Sequence, residues 1–177
     1  VKKSRISRRS FFHQSSAFLL SLWASQSLAQ PWASGMRLSL EFSYVGGGGR
    51  YRAPYIAAWV ENAQGLDVRE LALWYLQDRK GPRWLNELRR WYSRSSLDAA
   101  SSVSGPTRMP GRYTLVWDGK NSQGEALPQG EYFICIEYSR EHGPYELFRE
   151  KLSFASSAFN KTYTPGRELQ EVRLAYK

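Results

Sequence analysis

The sequence predicts a mainly β protein: a β-sandwich of about seven strands with one short amphipathic helix. Three observations predict it. Runs of alternating apolar and polar residues, each the length of a strand, recur along the chain. Clusters of Gly, Pro, Asn and Asp separate these runs. Only one stretch, Arg83 to Tyr92, carries its apolar residues at helical spacing. Short strands with regular turn punctuation are the pattern of a sandwich.

Residues 1–29 read as an export signal, outside the fold. Lys2, Lys3, Arg5, Arg8 and Arg9 form a basic region without an acid, and Phe11 to Ala24 is a short apolar region interrupted by Ser15, Ser16 and Ser21. A spanning helix needs about 20 mostly apolar residues, more than this segment offers. Ser27-Leu28-Ala29 places small residues at the −3 and −1 positions of a signal-peptidase site, so cleavage is expected after Ala29. Ser7-Arg8-Arg9-Ser10-Phe11-Phe12 fits the twin-arginine pattern S/T-R-R-x-F-L, with an ordinary secretory signal as the other reading. Val1 reads as an alternative start codon, so the leader is expected to be complete. The destination this predicts is the periplasm.

The leader also distorts the charge. The whole chain is +9, but the leader holds five basic residues and no acid, leaving 20 basic and 16 acidic residues beyond it. A net +4 with no phosphate-binding stripe argues against a nucleic-acid partner. Residues 30–177 have the length of one domain. Cys135 is the only cysteine, so no internal disulfide can form. One histidine and one cysteine beyond the leader do not make a multi-ligand zinc site.

Met36 to Tyr44 alternates, with Leu38, Leu40, Phe42 and Tyr44 on one face. Gly46 to Gly49 breaks the pattern. A phosphate-cradling loop would need a helix start next, whereas Pro54 opens another strand. Tyr55 to Glu61 and Val68 to Leu76 read as strands joined through Asn62-Ala63-Gln64-Gly65, and carry Trp59 and Trp74 as packing residues. Pro82 suits the first turn of a helix. Trp84, Leu85, Leu88, Trp91 and Tyr92 then predict one helix, Arg83 to Tyr92, with a buried aromatic stripe. Ser93 to Gly111 has no periodicity and reads as a long loop. Arg112 to Trp117 is a strand with Tyr113, Leu115 and Trp117 on one side. Glu131 to Ser139 is apolar on both faces, which places it inside a sheet and makes Cys135 an inert core thiol. Tyr145 to Phe154 and Leu169 to Tyr176 are the last strands, separated by a loop over Ala155 to Gly166.

Between these strands lies a dense motif: Trp117-Asp118-Gly119, Gly124, then Leu127-Pro128-Gln129-Gly130-Glu131-Tyr132. Asp118 can cap a turn, the glycines supply positive φ, and Trp117 and Tyr132 can pack on the sandwich. The motif resembles the W-D-G…G…[LV]-P-x-G-x-Y pattern of the immunoglobulin-like domain in flagellar hook-capping proteins, which implies an immunoglobulin-like sandwich and nothing about flagella.

A second resemblance covers nearly all of the chain beyond the leader. Ala58-Trp59-Val60-Glu61, the Leu71-to-Trp91 segment, Asp98 through Thr107-Arg108-Met109-Pro110-Gly111, and Trp117-Asp118-Gly119 through Arg140-Glu141-His142-Gly143 resemble the domain-of-unknown-function family number 2271, small exported bacterial proteins. The resemblance implies a link to PepSY-type membrane reductases and to the periplasmic transferase that attaches FMN to proteins. The setting it implies is redox- or iron-related.

That link draws attention to Ser104-Gly105-Pro106-Thr107. The covalent-flavin motif is D-x-x-[ST]-G-A-T, with FMN joined through its phosphate to the final threonine hydroxyl, so Thr107 is the candidate attachment residue. Pro106 stands in place of the alanine, and Ser101 holds the aspartate position, with Asp98 three residues too early. A structural loop is the other reading. Arg140, Glu141 and His142, with Asp98, form a second candidate set. A strand-end histidine beside a carboxylate and a guanidinium could bind an anion, ligate metal or haem, or shuttle a proton. No G-x-S-x-G elbow is present, which argues against a hydrolase of that kind. The functional expectation is a non-catalytic periplasmic accessory or binding protein. The alternatives are a small electron carrier with FMN on Thr107, and a carbohydrate- or surface-binding module using exposed Trp or Tyr.

Overall fold

A computed structural model describes residues 30–46, 52–94 and 103–177. The signal residues Ser7, Arg8, Arg9, Phe11, Phe12 and Ala29, and Asp98 and Ser101, lie outside them. Among these described residues, nine strands form two sheets. The strands are β1 (Leu38–Tyr44), β2 (Tyr55–Asn62), β3 (Asp67–Tyr75), β4 (Ser104–Pro106), β5 (Gly111–Trp117), β6 (Gly130–Ser139), β7 (Tyr145–Phe154), β8 (Phe159–Tyr163) and β9 (Leu169–Tyr176). One sheet has the order β5-β1-β9-β8, the other β4-β3-β2-β6-β7. Every pair is antiparallel except β3 with β4.

The two sheets face each other across one core. Leu38, Leu40, Phe42 and Tyr44 are buried as their alternation requires, and so are Ile56, Ala58 and Val60 of the opposite sheet. Rings meet across the gap: Phe42 lies 5.6 Å from Trp74, Tyr44 5.7 Å from Tyr138, and Trp117 5.4 Å from Tyr132. β2 and β6 are buried on both faces. Their second face, with Tyr55, Ala57, Trp59 and Cys135, is covered by Leu85, Leu88 and Trp91. Burial pushes the Cys135 thiol far up, which keeps it protonated and unreactive.

Two strands beyond the expected seven fall in segments that read as loops. β4 is three residues, paired in parallel at Leu73, Trp74 and Tyr75. β8 is an edge strand that is mostly exposed between Phe159 and Tyr163, so no alternation betrays it. The helix also departs from expectation. A 3-10 segment, Gly81–Glu87, is followed by a single α-turn, α1 (Arg89–Tyr92), with Leu88 between them at φ −82°, ψ 75°. Leu85, Leu88 and Trp91 recur at every third residue, which suits a 3-10 segment, and of the five stripe residues they alone are buried. Trp84 stays 53 % exposed and Tyr92 47 %, so the expected five-residue stripe shrinks to three.

This covering segment is held by acids from the strands beneath it. The Glu137 carboxylate accepts the N–H groups of Arg90 and Trp91, both at 2.8 Å, satisfying donors that so short a helix leaves open. Glu61 is fully buried and accepts from Arg90, Arg149 and the Trp59 indole, while Glu70 accepts from the Trp91 indole.

Candidate functional site

The structure tests whether Thr107 and Arg140–His142 share one end of the sandwich. Tyr55 at the start of β2 pairs with Ser139 at the end of β6, and the Tyr75 carbonyl at the end of β3 accepts the Thr107 N–H at 2.9 Å. Both candidates therefore sit at the same end of the five-stranded sheet, on strands β4 and β6 that β3 and β2 separate. The Thr107 hydroxyl donates to the Pro54 carbonyl at 2.6 Å. It acts as a clasp between the β4 segment and the entry to β2. Intact-mass measurement of protein co-expressed with a flavin transferase is accordingly expected to give the unmodified chain, and a mass increase corresponding to FMN would show that this hydroxyl gives up its bond.

The Arg140-Glu141-His142 set separates. Arg140 turns inward and binds Glu168 with two contacts, 2.8 Å from Nε and 2.5 Å from Nη2. Tyr138 donates to the same carboxylate at 2.5 Å. Both charged side chains are at most 10 % exposed, so this is a buried, bidentate pair. The Arg140 hydrogen bonds, opposed by burial and assisted by Tyr138, hold the Glu168 carboxyl below its ordinary value. Burial, then the contact with Glu168, pushes the Tyr138 phenol well up. Glu141 points outward to Arg52 at 3.0 Å, and His142 is 82 % exposed with Nε2 3.6 Å from Glu141.

His142 takes φ 55°, the left-handed region. Gly143 follows it, packed so tightly on Arg140 that a Cβ there would lie 2.7 Å from the guanidinium. A β-carbon in the left-handed region is disfavoured. His142→Gly is therefore expected to raise stability by about 0.5–1 kcal/mol, a melting shift of about 1–4 °C. A thermal melt checks this.

The opposite wall comes from the β8–β9 loop. Glu146 accepts three successive backbone N–H groups, from Arg167, Glu168 and Leu169, at 2.7, 3.0 and 2.7 Å. Gly166 packs on the same carboxylate, with space for no side chain, since a Cβ would lie 2.3 Å from Oε2. Between the two walls is an open cleft of about 570 Å³, lined by Val45, Arg140, His142, Pro144, Arg167 and Glu168 among others. Exposed His142 and Arg167 stand at its surface, on a base fixed by the Arg140–Glu168 pair. The sequence singled out Arg140 and His142 but not Glu146, Arg167 or Glu168. Pro165-Gly166 signals a turn there, yet nothing in the chain order names the acid that fills it.

Among the described residues, no group of three or more His, Cys, Asp or Glu side chains is placed to hold a metal ion. No described helix is long and apolar enough to cross a membrane.

The buried acids make stability pH-dependent. Burial raises the Glu61 carboxyl, but its hydrogen bonds from Arg90, Arg149 and Trp59 outweigh that and leave it below the ordinary value. Glu168 is lowered as well. A lowered folded pKa stabilises above the unfolded carboxylate value of about 4.3, and that contribution is lost as pH falls through the folded values. Melts from neutral pH downward should show a plateau and then a steep loss below about pH 4. Glu61→Gln should flatten that loss.

The W-D-G motif performs a structural task that the sequence only half discloses. Trp32 sits in a socket of Trp117, Phe154, Tyr176 and Tyr132, with ring centroids 4.7, 5.3, 5.5 and 6.3 Å away. Gly119, at φ 76°, forms the socket floor, where a Cβ would lie 2.1 Å from the indole. The segment before Trp32 is tied to the same motif: Gln129 donates its backbone N–H to the Gln30 carbonyl at 2.7 Å, and Trp32 N–H donates to Leu127 at 3.1 Å. Trp117 donates its indole N–H to the Lys120 carbonyl at 2.9 Å, and the Tyr132 hydroxyl donates to Pro128 at 2.7 Å. The Asp118 carboxylate accepts the Lys120 N–H at 3.2 Å, capping the turn as its position predicts.

No curated protein and no solved structure matches the chain significantly, so the immunoglobulin-like resemblance rests on the Trp117–Tyr132 motif. Comparison with protein families matches residues 38–171, about three quarters of the chain, to the family described as predicted periplasmic protein (DUF2271). The match spans both sheets and both walls of the cleft, and the chain belongs to this family of predicted periplasmic proteins.

Proposed function

We propose that this protein is a non-catalytic periplasmic binding module that presents the His142–Arg167 cleft to a partner in a membrane-linked redox or iron-related system. The observation that carries the proposal is the construction of the cleft. A buried Arg140–Glu168–Tyr138 cluster fixes its base, Glu146 fixes its far wall, and exposed His142 and Arg167 remain at its surface. Rigid elements carrying a few exposed polar groups suit recognition. The redox or iron-related setting is supported by the family resemblance alone, which also names the partner to try first, a PepSY-type membrane reductase.

The test is a titration of the fluorescently labelled protein with that reductase in detergent micelles. Saturable binding that weakens at least tenfold in the His142→Ala/Arg167→Ala double variant is expected. Absence of binding would end the assignment of this partner, and binding unchanged in the double variant would end the assignment of this cleft. Turnover of a defined substrate by the purified protein would overturn the non-catalytic reading.

A further inference from the structure

Residues 76–94 carry six basic residues, Arg79, Lys80, Arg83, Arg89, Arg90 and Arg94, against two acids, Asp78 and Glu87. The remainder of residues 30–177 is balanced, with 14 basic and 14 acidic residues. The whole net charge of +4 beyond the leader is thus concentrated in 19 residues, the segment that covers the outer face of the five-stranded sheet, so the expectation of no phosphate-binding stripe does not hold for this segment.

The fold sorts these side chains. Arg90 and Arg94 turn to the acids beneath, Glu61 and Asp67. The Asp78 carboxylate turns back to accept the N–H groups of Lys80 and Gly81, at 2.9 and 2.6 Å. Arg79, Lys80, Arg83 and Arg89 remain exposed, Arg89 with its guanidinium 4.5 Å from the centre of the Tyr145 ring. Three large apolar side chains are exposed with them: Trp84 at 53 %, Tyr92 at 47 % and Leu76 at 41 %. The Leu85, Leu88 and Trp91 stripe holds the segment down, so these outer side chains are presented from an anchored platform.

We propose that residues 76–94 form a docking face for the surface of an anionic phospholipid bilayer. Trp and Tyr each join an apolar ring to a polar N–H or O–H, which matches the boundary between headgroups and acyl chains. Guanidinium and ammonium groups beside them match the phosphates. An acidic protein partner would also attract the cations. However, protein interfaces gather their aromatics in a central patch depleted of charge. Here Leu76, Trp84 and Tyr92 are interspersed with the cations, and with the exposed acid Glu87, along the loop, the 3-10 segment and the α-turn, a spacing that suits shallow interfacial insertion. The face shares no residue with the lining of the His142–Arg167 cleft, so either assignment can fail alone.

The test is sedimentation of the protein, released from the periplasm of an expression host, with two vesicle types. One is phosphatidylglycerol mixed with phosphatidylethanolamine; the other is phosphatidylcholine alone. Binding to the anionic vesicles is expected, weakening with salt and shifting tryptophan emission to the blue. Arg79→Ala with Arg83→Ala should lower partitioning about 30-fold, at about fivefold per cation. Trp84→Ala with Tyr92→Ala should lower it at least tenfold and remove the blue shift. These side chains are exposed, so the melting temperature should hold, and a melt confirms that each variant is folded. Absence of anionic-vesicle binding, equal binding to phosphatidylcholine, or binding retained by both double variants would each overturn the proposal. Binding to soluble polyglutamate but to neither vesicle would replace the lipid with an acidic protein partner.

Discussion

Glu61→Ala is expected to destabilise the protein by about 3–4 kcal/mol, a fall in melting temperature of about 6–16 °C. Glu61 is wholly buried, and its two oxygens receive the Arg90 guanidinium at 2.8–2.9 Å, Arg149 at 2.8–3.0 Å and the Trp59 indole at 3.0 Å. Removing the carboxylate leaves three donors converging on an empty site, and removing one partner of a buried ion pair costs far more than the pair contributes net. The arginines are 27–28 % exposed and can partly turn to water, which keeps the cost at this level. Glu61→Gln retains the shape and part of the hydrogen bonding and should cost about half as much. A contrast lies on the outer face of the four-stranded sheet, where Arg173 reaches Glu171 at 3.1 Å and Glu41 at 3.5 Å. Arg173→Ala there should cost less than about 1 kcal/mol, because exposed pairs are screened. Chemical denaturation of the three variants checks the ranking. Equal costs for Glu61→Ala and Arg173→Ala would remove the argument from burial.

Gly119→Ala should cost about 3 kcal/mol for two separable reasons. Its φ of 76° is strained for any residue with a Cβ, and that Cβ would sit 2.1 Å from the Trp32 ring. Gly124→Ala isolates the first reason, because φ is 83° there and the space is open. It should cost only about 1 kcal/mol. Trp32→Ala removes the clashing partner and loses its own ring packing, about 2–3 kcal/mol for a half-buried tryptophan. In the Gly119→Ala/Trp32→Ala double variant the clash disappears, so the two costs should fall short of additivity by at least about 1 kcal/mol. Strict additivity would mean that the socket is not what confines position 119.

The sequence disclosed elements whose side chains obey a period. Leu38 to Tyr44 is legible because water on one face and core on the other force alternation. Phe133 and Cys135 are legible because only an interior strand can be apolar on both faces. Where the period failed, so did legibility. β8 lies at a sheet edge, where only Phe159 and Tyr163 reach the core. β4 is held by backbone bonds to β3, which any side chains permit. Trp84 and Tyr92 fit a helical stripe at 3.6 residues per turn, but Pro82, Gly81 and the Leu88 break impose a tighter winding that leaves them outside.

The candidate site was half visible for the same reason. Arg140 and His142 could be named, because a lone histidine beside charges at a strand end attracts notice in any sequence. Their roles could not, since Arg140 is decided by Glu168, 28 residues away, and Glu146 by backbone N–H groups 21–23 residues away. The sequence by itself determined the β class and the doubly buried β6, because periodicity and composition are local properties. Only the tertiary structure decided that Thr107 is a clasp, that the W-D-G glycine is a socket for Trp32, and that the net charge lies on an exposed aromatic face. Each of these depends on which distant groups meet, and hydrogen bonds, ion pairs and steric fit act over a few ångströms of space whatever the separation along the chain.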